Sequence, residues 1–171
     1  LDLSSKKLGD ASACVIAKCV ECNSVLTEIN LKGNSLGKAG WCAIFNALRD
    51  NKANKIASWD LSMSNQGMKT DASKAIAEYV AVSGVLTSLD LSANWVGPEL
   101  GICMSEALKV NSVLRSLDMR RNKIDGEAAQ QLTAAVLGSA SLEVFSGVPM
   151  KQLHRSFISS SSKARHGCVR R

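Results

Sequence analysis

One hexapeptide is written four times along this chain: Leu26-Thr-Glu-Ile-Asn-Leu31, Ile56-Ala-Ser-Trp-Asp-Leu61, Leu86-Thr-Ser-Leu-Asp-Leu91 and Leu114-Arg-Ser-Leu-Asp-Met119. The steps between their first residues are 30, 30 and 28. A fixed period of this length describes a solenoid, in which each unit buries its apolar side only against its neighbours. Within the hexapeptide apolar and polar residues alternate, the pattern of a short strand with one buried face. Turns follow at 32–37, 92–97 and 120–126, and helix-period segments at 39–49, 71–82, 100–110 and 127–137. Aligned on one another, these helices place Ile44, Ile76, Met104 and Leu132 at one site and Leu48, Val80, Leu108 and Val136 four residues later. That spacing keeps both on the face turned to the strands. An earlier unit fits the same scheme, with its helix at 14–22 and Ile16 and Val20 at the two core sites.

Composition supports a layered core. Hydrophobic residues make up 46% of the 171-residue chain but only seven residues are aromatic, so thin layers of Leu, Val, Ile, Ala and Met must fill the interior. Leu1-Asp2-Leu3 aligns with Ile29-Asn30-Leu31, so the expectation is a fragment that starts within a repeat of a longer array. The net charge of +6 is unevenly placed. Residues 1–150 carry 15 basic and 15 acidic side chains, and Lys151, Arg155, Lys163, Arg165, Arg170 and Arg171 supply the whole excess. Nucleic-acid binding is therefore expected only weakly, through this basic end, because a neutral body exerts no sustained pull on phosphate. No run of 18 apolar residues suggests a membrane span. Six scattered cysteines without a paired framework favour a reducing, cytoplasmic setting.

The pattern LxxLxLxxNxLG followed by a helix with small and aliphatic core sites resembles the leucine-rich repeats of the ribonuclease-inhibitor-like class. Such repeats also occur in the arms of NLR-type receptors and in Ran GTPase-activating proteins. The resemblance covers residues 1–153 and implies an α/β solenoid of about five units, with parallel strands on a concave face and helices on the convex face. Residues 154–171, with four consecutive serines, are expected to form a disordered basic tail. Departures from the pattern occur in three places. Ser64 takes the turn position held by Asn34, Asn94 and Asn122; Trp59 replaces a strand leucine and should fill extra core volume; and the last unit loses the pattern after Phe145, where Val144 and Phe145 should plug the core and Pro149 discourage further pairing.

Candidate chemistry is sparse. The repeats hold no histidine, His154 and His166 both lying in the tail, so no Ser-His or Cys-His pair is expected. Gly33 to Lys38 misses the phosphate-loop spacing and lacks a hydroxyl after the lysine. Cys14, Cys19 and Cys22 have no second ligand pair for zinc; Cys19 aligns with the small helix core sites Ala47, Ala107 and Ala135 and Cys14 with Cys42, so buried apolar thiols are expected. No catalysis, metal or cofactor is expected. Asn34, Asn94 and Asn122 should turn inward as a ladder of amides tying one turn to the next, and Gly37 and Gly97 should allow a tight path. The candidate contact surface is the outward side of the strands: Asn30, Asp60, Asp90 and Asp118 in one row, with Asp2 continuing it, Glu28, Ser58, Ser88 and Ser116 in the next, and Arg120 and Arg121 at one end. The expected function is non-catalytic recognition of a macromolecular, protein partner along this face, since a small molecule calls for a closed pocket. The resemblance adds two alternatives, regulation of a small GTPase and the sensing arm of an NLR-type receptor.

Overall fold

A computed structural model describes residues 1–63 and 70–156 of the chain. Five helices alternate with strands: α1 (Asp10–Glu21), β1 (Glu28–Asn30), α2 (Gly37–Asp50), β2 (Ser58–Asp60), α3 (Thr70–Val82), β3 (Ser88–Asp90), α4 (Pro98–Val110), β4 (Ser116–Asp118), α5 (Gly126–Gly138), β5 (Val144–Phe145) and β6 (Val148–Pro149). A further helical stretch occupies 150–156. The sheet order is β1-β2-β3-β4-β5-β6, parallel from β1 to β5. Asp2 adds an isolated parallel bridge to Asn30. Consecutive helices pack on one another along the other layer. The architecture is an α/β solenoid.

Each strand has only one side chain buried between two half-exposed or exposed ones, Ile29, Trp59, Leu89 and Leu117 in turn. The aligned helix sites all lie in the core, from Ile16 and Val20 through Ile44, Leu48, Ile76, Val80, Met104 and Leu108 to Leu132 and Val136. Trp59 fills volume as expected: its ring lies 6.0 Å from Phe45, which is 6.1 Å from Trp41 and 5.8 Å from Tyr79. This aromatic cluster gathers in the two units where β2 carries Trp for Leu. Burial holds the Tyr79 hydroxyl above its ordinary pKa, while Asn54 Nδ2 donates to it at 2.9 Å. Helices α1 and α2 approach closely at Gly40, where a Cβ would stand 2.3 Å from that of Ala13.

The C-terminal end differs from the sequence expectation. The chain reverses after Phe145 through Ser146 and Gly147, and β6 pairs antiparallel with β5, Pro149 opposite Val144. Pro149 thus sits within the pairing, on the last strand, where its missing N–H costs no ladder bond. Met150 and Leu153 of the helical stretch then cover the core. The boundary placed at 153 falls inside this helix, and His154, expected in a structureless tail, lies with its ring nitrogens 2.9 Å from the Met150 carbonyl and 3.1 Å from that of Leu137. Residues 157–171, and Ser64 with its departure from the turn pattern, fall outside the described residues. Gly37 takes φ +63, but Gly97 takes φ −81, a conformation open to other residues, so only the first is required by the turn.

Candidate functional site

Parallel pairing without slippage is what aligns the outward side chains. Glu28 stands opposite Ser58, Ser58 opposite Ser88 and Ser88 opposite Ser116; Asn30, Asp60, Asp90 and Asp118 follow in the second row. Strands of one sheet are about 4.8 Å apart, so the rows form continuous stripes. All eight side chains are half-exposed or exposed. Grooves on the helix side, such as that lined by Lys74, Glu78, Cys103 and Glu106, include none of them.

The acidic row is not a set of bare charges. Oδ1 of Asp60 accepts the Ser62 N–H at 2.9 Å, that of Asp90 the Ser92 N–H at 2.8 Å and that of Asp118 the Arg120 N–H at 2.9 Å. Asp2 and Asn30 do the same for Ser4 and Lys32. Each side chain closes the turn that ends its own strand, a local bond that Asp and Asn make equally well. Arg120 also folds back on Asp118, its Nε 2.9 Å from Oδ2. Partial burial pushes the Asp118 carboxyl up, but the Arg120 side chain, backbone N–H and charge outweigh it and hold the group below the usual carboxylate range. Arg121 takes φ +57 and is exposed. The two arginines named together in the sequence therefore stand in different situations.

The turn asparagines run beneath this surface. Asn34 Nδ2 donates to the carbonyls of Leu3 (2.8 Å) and Leu31 (2.9 Å), and its Oδ1 accepts the N–H groups of Lys6 and Leu8, both at 3.1 Å. Asn122 repeats the arrangement with Leu91, Met119, Asn94 and Val96. Asn94 Nδ2 reaches Leu61 and Leu91. Sequence reasoning missed a second ladder at the opposite ends of the helices. Asn111, after α4, donates to the carbonyls of Val80 (2.7 Å) and Ser83 (3.2 Å) and accepts from the N–H groups of Val113 and Leu114. Asn51 bonds Val20 and Asn23 in the same way. These amides add a second donor to late carbonyls of α1 and α3 and tie each helix end to the next repeat. The signal was Asn after each of two helices at matching repeat positions.

The cysteines correct an expectation. Cys14, Cys19 and Cys22 are exposed, and only Cys42 and Cys103 are half-buried. Cys19 aligns with small core sites but α1 has no helix on its outer side among the described residues, whereas Cys14 and Cys22 align with positions that are exposed in later helices too, such as Ile102 and Val110. Burial raises the thiol pKa of Cys42 and of Cys103. Among the described residues no cluster of His, Cys, Asp or Glu could hold a metal ion, and no helix is long and apolar enough to cross a membrane.

The geometry defines the class: a solenoid of strand, turn and helix, with an inward asparagine at the turns of Asn34, Asn94 and Asn122. A leucine-rich repeat family model matches residues 110–132. Among solved structures the chain is similar to the tropomodulin C-terminal domain of Caenorhabditis elegans, with a TM-score of 0.69 and 17% identity over 92% of this chain and 99% of that one. It is also similar to leiomodin-1 actin-binding site 2, with a TM-score of 0.66 and 14% identity over 90% of this chain and 96% of that one. The leucine-rich-repeat fold is thereby shown. No curated protein sequence matches the chain.

Proposed function

We propose that this chain is a non-catalytic scaffold that binds a protein partner along the open face of its sheet, through Glu28, Asn30, Ser58, Asp60, Ser88, Asp90, Ser116 and Asp118 and the adjoining turn at Arg120 and Arg121. One observation carries the reading: the unslipped register keeps two polar rows unbroken across β1 to β4 on the side away from the helices. A flat, periodic surface fits a macromolecule, and it needs no cofactor or small-molecule substrate. The alternation of full helices with three-residue strands supports placing the repeats in the ribonuclease-inhibitor-like class. The GTPase-regulator and receptor-arm readings have no specific support, since Arg120 is engaged by Asp118.

The fold shared with a leiomodin-1 actin-binding site makes actin the first partner to test. Charge reversal of the aspartates would break the turns they close, so the test blocks the serine row instead. Ser88→Arg and Ser116→Arg should abolish co-sedimentation with actin, or capture of another purified partner, while Lys74→Glu and Glu106→Lys on the helix side should leave it intact. Binding that survives the serine changes and fails after the helix changes moves the contact to the other face and overturns the reading.

A further inference from the structure

The turns that end the strands are knitted into a continuous rim. Ser5 N donates to Lys32 O, Gly33 N to Ser62 O, Met63 N to Ser92 O, Ala93 N to Arg120 O and Lys123 N to Val96 O. Two properties of this rim are unrelated to its hydrogen bonding. The described turn residues 3–9, 31–36, 61–63, 91–97 and 119–125 carry Lys6, Lys7, Lys32, Arg120, Arg121 and Lys123 against a single carboxylate, Asp125. And in its middle stands Trp95, 62% exposed, whereas the other two tryptophans, Trp41 and Trp59, are 0% and 1% exposed.

Trp95 is costly where it is. Its φ of +55 is a left-handed conformation disfavoured for bulky residues, and its indole is in solvent. The aligned positions hold Ser35 and Lys7, so the turn does not demand a ring there. Lys123 Nζ lies 5.3 Å from the ring centroid, in the next turn. Arg121 is exposed in that same turn, and Met63, 59% exposed, stands in the turn on the other side. An exposed aromatic between an apolar side chain and two cations has the make-up of an interface anchor.

We infer that Trp95, Arg121 and Lys123 form an anchor point on the rim, and that it takes a protein segment carrying an apolar residue beside acidic ones. The excess of cations over the single carboxylate along the rim favours acid. A single-stranded nucleic acid would also stack on a ring, but it carries a charge at every residue, which the Asp60, Asp90 and Asp118 row next to the rim opposes, whereas a peptide can confine its acids to Arg121 and Lys123. The inference rests on the open face being a protein-binding surface and names the chemistry of what docks at its edge.

Because Trp41 and Trp59 are buried, acrylamide quenching of the intrinsic fluorescence reports chiefly on Trp95. A short peptide alternating Glu and Leu should shield it; the same peptide with Lys for Glu, and a short oligothymidylate, should not. With a fluorescein-labelled acidic peptide followed by anisotropy, Trp95→Asn and the double variant Arg121→Gln, Lys123→Gln should each weaken binding by roughly tenfold or more. Asn tolerates the left-handed backbone, and circular dichroism confirms that the variants fold. Shielding by the lysine peptide or the oligonucleotide, no shielding by the acidic peptide, or acidic-peptide binding undiminished in both variants overturns the inference. A partner lost on Ser88→Arg but retained by both rim variants would leave the scaffold reading standing and remove the anchor.

Discussion

Two polar rows run through this solenoid only a few residues apart in sequence, and they behave differently. Asn34 and Asn94 are 2% and 3% exposed, and their amides bond carbonyls in two successive repeats. The aspartates at 60, 90 and 118 are half-exposed, and each accepts a backbone N–H from its own turn. The first row needs a side chain that both donates and accepts; the second needs only an acceptor. A periodic polar residue is therefore no evidence of function until its burial and the reach of its bonds are known.

Exchanging the two residue types should separate the rows most sharply. Asn34→Asp places an acceptor against the Leu3 and Leu31 carbonyls in a buried site, and should cost on the order of 3 kcal/mol in urea unfolding. Asn30→Asp in the strand row should change little, since the next three strands already carry Asp at that position. Equal losses in the two variants would break the distinction.

Truncation should follow the same order with smaller amplitude. Asn94→Ala and Asn111→Ala each remove two donors from backbone carbonyls and should each cost about 1–3 kcal/mol. If Asn111→Ala proves harmless, the second ladder is decoration. Asp90→Ala should cost about 1 kcal/mol through its opened turn, and Asp90→Asn close to nothing, which the same unfolding curves would show.

The smallest effect is a pH dependence. The folded Asp118 carboxyl titrates below its unfolded value, so its contribution to stability is fully present above the unfolded pKa and is lost as pH falls through the folded one. Wild type should lose stability on acidification slightly faster than Asp118→Asn, and Arg120→Gln should flatten the difference. An effect of opposite sign would show that burial rather than the Arg120 pair governs this carboxyl.

Much of this was legible in residue order. The repeat set the strands, the helices and the two aligned core sites, because period-two and period-four burial are properties of local geometry. The inward Asn ladder was legible for the same reason, as a turn residue recurring in register. Other features were not. The exposure of Cys19 depends on α1 lacking an outer neighbour, and Pro149 pairs because the chain reverses at Ser146 and Gly147, which no repeat specifies.

Sequence alone determined the solenoid, its strand rows and its lack of catalytic histidine in the repeats, since each follows from identity and spacing. Tertiary structure decided which polar groups are free for a partner. Oδ1 of Asp90, the Arg120 guanidinium and Asn111 look alike as polar letters in a string, yet each is engaged by a group 2 to 31 residues away. Trp95, by contrast, stands in solvent. The reason is physical: a hydrogen bond needs a partner placed within about 3 Å, and only the stacking of one repeat on the next puts it there.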